Sequence, residues 1–231
     1  MGLNVIILGG PGAGKGTQAA LFALSHGLSK ISTGDILRQG VKDRLPKVLL
    51  VKEKMDRGEL ADDDTIIEIV QDRLGRSDTS RGFVLDGFPR NVAQAHALDS
   101  IMEKRAKGAL LIVDIVVPNE ELARRLSSRR ICSVCGMNAE PLQDPKAACQ
   151  RCRGVFVSRT DDTEAVVLER LRIYSDETKP LVEYYGDRPT FFTVDGKQAP
   201  EQVALELNNL IDTAAARSST VVMEAQGEAN R

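Results

Sequence analysis

The run Gly9-Gly10-Pro11-Gly12-Ala13-Gly14-Lys15-Gly16-Thr17 sets glycines, a lysine and a hydroxyl at close spacing. Glycines carry no Cβ, so the backbone can turn tightly enough for its N–H groups to converge on an anion. Lys15 adds a full positive charge for the terminal phosphates of a nucleotide, and the Thr17 hydroxyl a ligand for Mg²⁺. A glycine-rich turn with an incidental lysine is the alternative. Context argues against it: Leu3 to Leu8 is apolar and β-branched, as in a buried strand, and Thr17 to Ser25 is Ala/Leu-rich, as in a helix. Between strand and helix such a loop adds its amides to the donors and partial positive charge of the helix N-terminus. It reads as a phosphate cradle.

Further along, Ser32-Thr33-Gly34-Asp35-Ile36-Leu37-Arg38 offers a phosphate-gripping guanidinium at Arg38 and a hydroxyl for a base or ribose at Thr33, with Asp35 as the expected N-cap. Phe83 to Asp86 is a buried strand ending in a carboxylate, a common position for Mg²⁺ held directly or through water. Gly87-Phe88-Pro89-Arg90 follows it, and Gln94 presents the donor and acceptor needed to read an adenine edge. Asn119 is the expected cap of a helix carrying Arg124, Arg125, Arg129 and Arg130, whose mutual repulsion a polyanion would relieve. A solvated helix face is the bland reading of that helix. Arg159 precedes, and Arg170 lies within, another helix for which Asp162 is the expected cap. His26 and His96 read as surface or packing residues.

All the cysteines fall in one pattern, Cys132-x2-Cys135-x13-Cys149-x2-Cys152. Paired C-x-x-C turns make a four-sulfur cage suited to structural Zn²⁺, with disulfides or inert thiols as alternatives. Such a metal would fold an insert too small for its own core.

The elements that must hold these residues alternate. Strand candidates are Leu3–Leu8, Lys30–Ser32, Phe83–Asp86, Leu110–Val117 and Thr190–Val194, with helical stretches between. This predicts an α/β fold with a parallel five-stranded sheet covered by helices on both faces. Ligands then bind beyond the carboxyl ends of the strands, where the glycine loop lies. Pro46 to Arg57 reads as a helix ended by Gly58, Pro180 as a kink, and the stretch from about Arg217 as a frayed tail.

The form G-x-P-G-x-G-K-G-T, with glycine between the lysine and the threonine, resembles nucleoside monophosphate kinases, and adenylate kinases above all. S-T-G-D-x-L-R and D-G-F-P-R with Gln94 are similar to that family's monophosphate site. Order and spacing match over about residues 3–212. The resemblance implies a P-loop NTPase-type core (1–32, 63–128 and 160–216), a helical AMP-binding insert (33–62) and a zinc-ribbon-like lid (129–159). It implies Mg-dependent transfer, ATP + AMP = 2 ADP. Lys15, Arg90, Arg125, Arg159 and Arg170 would be catalytic. ATP would meet Gly12, Ala13, Gly14, Lys15, Gly16, Thr17, Arg125, Arg129 and the backbone near Gln198. AMP would meet Thr33, Arg38, Glu59, Leu60, Ala61, Gly87, Phe88, Pro89, Arg90, Gln94, Arg159 and Arg170. Thr17 and Asp86 would hold magnesium, and the four cysteines zinc. The sequence departs from the family in a shorter stretch between the cysteine pairs, and after Cys135 it lacks the usual aromatic and histidine.

Composition sets outer bounds. The chain has 231 residues, 28% of them charged, and a net charge of −2, which argues against bulk nucleic-acid binding. No apolar run reaches membrane-span length and no signal core opens the chain, so a cytoplasmic monomer acting on small molecules is expected. A kinase for UMP, CMP or GMP, or a non-catalytic ATP-binding sensor, are the competing readings.

Overall fold

The computed structural model describes residues 2–105, 108–139, 144, 147–159 and 162–229. Strands β1 (Leu3–Gly9), β2 (Ser29–Ser32), β3 (Gly82–Asp86), β4 (Leu110–Val116) and β7 (Phe191–Asp195) form one sheet in the order β2-β3-β1-β4-β7. All four pairings are parallel, with Ile6 opposite Leu85 on one side and Ile112 on the other. A parallel sheet of this kind must bury both faces, and alternation along β1 shows it doing so. Ile6 and Leu8 join Ile31, Leu85 and Ile112 in one core, while Val5 and Ile7 join Val84, Val113 and Val194 in the other. Each such side chain, removed from water, contributes about 1.5–3 kcal/mol before chain entropy is counted.

The first core is closed by α2 (Thr33–Lys42), α3 (Pro46–Asp56), α4 (Asp63–Leu74), α5 (Val92–Arg105) and α8 (Pro180–Gly186). The second is closed by α1 (Lys15–His26), α6 (Asn119–Ser127) and α9 (Pro200–Ala229). Phe22 of α1 is 1% exposed and stacks on His26, which also meets Asp212 of α9, so that histidine is a packing residue. The sheet order reverses at β1, between β3 and β4, and that switch point is where ligands bind in open α/β sheets. The glycine loop follows β1 directly.

A smaller antiparallel pair, β5 (Arg130–Cys132) with β6 (Phe156–Ser158), carries the cysteines. After it, α7 (Glu164–Ile173) runs through a wide π-turn (Tyr174–Thr178) into α8.

Several local expectations change. The cap of α2 is Ser32, whose Oγ accepts from the Asp35 N–H at 3.3 Å; Asp35 lies inside the first turn, where its charge suits the dipole. Asn119 does not cap α6, which starts after Pro118 with no side-chain cap. That helix also ends at Ser127, so Arg129 and Arg130 are not on it. Ser127 and Ser128 donate to the carbonyls of Ala123 and Arg124, using hydroxyls to close the helix. Thr163, not Asp162, precedes α7. The backbone of α9 is helical as far as Ala229, through the stretch from Arg217. The boundary at residue 160 and residues 230–231 lie outside the described residues.

Candidate functional site

At the end of β1 the chain turns through Gly12 (φ 88°) and Gly14 (φ 96°), left-handed conformations that side chains resist, and Gly14 leads straight into α1. Lys15 folds back over the loop, its Nζ donating to the carbonyls of Gly9 at 2.7 Å and Gly10 at 2.8 Å. Desolvation lowers the Lys15 pKa to about 8; attraction to Asp86 opposes this, and repulsion from Arg90, Arg170 and Arg129 adds to it. That single balance locates the site. Residues from three distant stretches of sequence, Asp86 with Arg90, Arg129, and Arg170, bear electrostatically on one ammonium.

Gly16, the residue that separates lysine from threonine, is explained by Asp86. A Cβ at position 16 would lie 3.1 Å from the Asp86 Oδ2, so a larger residue there would press that carboxylate away from the loop by a few tenths of an ångström. Asp86 also faces Lys30 Nζ at 3.7 Å. The Asp86 carboxylate lies against the loop residue that precedes Thr17, and carboxylate and hydroxyl oxygens are hard donors of the kind that fits Mg²⁺.

The segment after Asp86 is fastened from several sides. Thr33 donates to the Gly87 carbonyl at 2.8 Å, and Arg90 Nε donates to the same oxygen at 2.9 Å. Phe88 is buried and precedes Pro89 through a cis peptide. Gln94, 1% exposed, accepts from the Arg90 N–H at 2.8 Å and donates to Asp63 at 2.7 Å. Asn91 accepts from the Gln94 N–H and also reaches Asp63, at 3.1 Å. Thus the amide expected to read a base is oriented by two protein partners, with one further donor and acceptor position left on its ends. Asp63 was legible only as part of an acidic helix start; its role at the loop depends on a partner 31 positions away.

The arginines divide. Arg129 makes a two-pronged pair with Asp162, at 2.7 Å for each bond, and Arg170 adds a third at 2.8 Å. The Asp162 side chain is 3% exposed, which makes it a buried anion gathering two of the site's cations. Sequence reading took it for a helix cap because Ser, Thr and Asp commonly precede helices. Arg125 pairs with Glu121 at 2.7 Å, and Arg124, on the outside, pairs with the same carboxylate. Arg159 follows β6, and its carbonyl accepts from the Asp162 N–H at 3.3 Å.

Arg38 points to Asp35 at 2.6 Å. Glu59, Leu60 and Ala61 line a crevice of about 480 Å³ with Asn91 and Ile173. Just before it, Gly58 (φ 80°) touches α7 so closely that a Cβ would stand 2.9 Å from Arg170 Cγ. Gln198 turns its side chain to Glu206 at 2.8 Å, leaving the Asp195–Gln198 turn to act through backbone.

In the small sheet the four Sγ atoms lie within 4.8 Å of one another, with Cys132 to Cys152 at 3.3 Å and Cys135 to Cys149 at 3.6 Å. These are far beyond a disulfide bond, and tetrahedral Zn–S bonds of about 2.3 Å would set neighbouring sulfurs roughly 3.8 Å apart. Each knuckle ends in a left-handed residue, Gly136 (φ 72°) and Arg153 (φ 62°), which curls the chain under its thiols. The cage fits a soft tetrahedral metal such as zinc.

Comparison with known proteins finds that the family model described as adenylate kinase matches residues 7–190. Similar proteins named adenylate kinase include one from Clostridium tetani, 42% identical over 214 residues, covering 90% of this chain and 98% of that one. One from Archaeoglobus fulgidus is 41% identical, covering 91% and 98%. Another, from Syntrophobacter fumaroxidans, is 43% identical over 197 residues, covering 84% and 92%.

The cage generates a prediction. Elemental analysis should find one metal ion per chain, and chelation should lower the melting temperature by several degrees, since among the described residues of the insert the buried core is Cys132, Cys149 and Phe156. Unchanged melting and no metal would contradict it.

Proposed function

The chain belongs to the adenylate kinase family, and we propose that it transfers the γ-phosphoryl of ATP to AMP in the crevice beyond β1 and β3, giving two ADP. The observation that carries this reading is the set of cations, Arg90, Arg129 and Arg170, bearing on Lys15 at the glycine loop. In the transfer, an AMP phosphate oxygen bonds to the γ-phosphorus as the bond to the β-bridging oxygen breaks, in line. No side chain need be covalently changed. The work is placement and charge stabilisation.

On this reading Lys15 releases the Gly9 and Gly10 carbonyls for the β- and γ-phosphates, which the amides of Gly12 to Thr17 cradle. Arg125, Arg159 and Arg170 spread positive charge around the phosphoryl in flight, and Arg129 contacts ATP. Arg38 and Arg90 hold the AMP phosphate. Thr33, Gly87 to Pro89, Gln94 and the backbone of Glu59 to Ala61 form the base and ribose side, while the turn at Gln198 touches the ATP base. Thr17 and Asp86 would hold Mg²⁺, which would supply positive charge to the polyphosphate when bound. The helical insert and the cysteine-bearing lid close as hinged bodies, because water in an open site would compete for the phosphoryl.

Zinc is the metal proposed for the four thiolates. Thiols kept as ligands suit the reducing cytoplasm. No helix of the described residues is long and apolar enough to cross a membrane. Since one chain carries every residue named, a monomer suffices.

The test is coupled ADP formation from Mg·ATP with each monophosphate in turn. AMP should be the fastest acceptor by at least tenfold; a faster rate with CMP, UMP or GMP would overturn the choice of substrate. The Lys15 balance adds a pH dependence. Its pKa is about 8 in the free chain, and bound phosphate raises it. ATP affinity should therefore hold steady below pH 8 and weaken toward pH 10, with proton uptake on binding, measured by calorimetry. A flat profile would contradict the assignment of Lys15.

A further inference from the structure

Between α7 and α8 the helix widens for one turn. Pro180 has no N–H to give and its ring excludes the carbonyl four residues back, so the regular ladder cannot continue. The Lys179 N–H instead donates to the Tyr174 carbonyl at 2.8 Å, a five-residue step that defines the π-turn Tyr174–Thr178. Such turns insert a local misalignment into an otherwise regular helix.

That misalignment matters for Thr178. In a regular helix a threonine hydroxyl usually bonds back to the carbonyl one turn earlier. Here Thr178 Oγ1 leaves its own helix and donates to the Arg90 carbonyl at 2.7 Å, across 88 positions of sequence. The Arg90 N–H is already held by Gln94 at 2.8 Å. Both backbone hydrogen-bonding groups of Arg90 are therefore fixed, one from α5 and the other from the π-turn.

The second consequence is a link between two arginines. Arg170 sits on α7, eight residues before Thr178 and on the same continuous helical rod. One hydrogen bond thus ties the rod bearing Arg170 to the backbone of Arg90. Both are cations that bear on Lys15.

We propose that Thr178 is a positioning residue for phosphoryl transfer: its hydroxyl, turned out of the helix by the π-turn that Pro180 imposes, fixes the Arg90 backbone in register with Arg170. The inference rests on the functional reading of Arg90 given above. Displacing a transition-state contact by a fraction of an ångström is expensive in rate and cheap in stability, because geometry enters the barrier directly.

The experiment is a double-mutant cycle in the full-length protein. Thr178→Val keeps the β-branched shape and removes the donor. It should lower kcat about tenfold, leave the KM for ATP within twofold, and move the melting temperature by no more than a few degrees. Thr178→Ser should restore kcat to within twofold of the parent. Arg90→Met should lower kcat by at least a hundredfold, and adding Thr178→Val to it should cost no more than a further twofold. An unchanged kcat in Thr178→Val, failure of serine to rescue, or full additivity with Arg90→Met would overturn the proposal while leaving the functional reading intact. Full activity in Arg90→Met would instead remove the functional reading of Arg90 itself.

Discussion

Like charges crowded into a crevice repel, and this fold crowds them deliberately around the first turn of its chain. Lys15, Arg90, Arg129 and Arg170 come from different elements and share one electrostatic field. One buried and one half-buried carboxylate sit among them. Asp162 gathers Arg129 and Arg170, and Asp86 rests against the loop at Gly16. Burial, more than repulsion, lowers the Lys15 pKa, with Arg90, Arg170 and Arg129 adding to it against the pull of Asp86. A bound polyphosphate would favour the charged form of a lysine that burial disfavours, and would meet the neighbouring arginines at the same time.

The sheet makes this possible. Parallel strands deliver Gly9, Asp86 and Ser32 to the same edge, because β1, β2 and β3 all point one way. Everything chemical then hangs from loops at that edge, and the helices behind it serve as fixed mounts. Thr33 holds Gly87 from α2, Gln94 holds Arg90 from α5 and is itself held by Asp63 of α4, and Thr178 holds Arg90 from the π-turn. The cysteine cage solves a separate problem. It gives shape to a segment whose described residues form only a small buried cluster, where burial alone offsets little of the entropy of ordering the chain.

Much of the fold was legible because its signals are local. Alternation in Val5 to Leu8 and the run Phe83 to Asp86 announce buried parallel strands, and the glycine loop announces its own position at a strand end. The cysteine spacing likewise prefigured a four-sulfur cluster. What escaped reading depends on partners far away in sequence. Asp162 looks like a helix cap until Arg129 and Arg170 are seen on either side of it. Asp63 and Thr178 are ordinary polar residues until the Gly87–Arg90 segment is placed beside them. Arg129 read as a helix-face residue because its spacing from Arg125 is right; two serines end the helix before it arrives. The resemblance supplied roles for individual residues that spacing could not.

Replacing Lys15 with methionine tests the central claim most directly, since it removes the one charge on which the other cations converge while keeping the length of the side chain. Steady-state ADP formation from Mg·ATP and AMP should fall by a factor of roughly 10² to 10³, with the fold and the metal content unchanged. ADP formation within threefold of the parent protein would mean that the phosphates meet somewhere else.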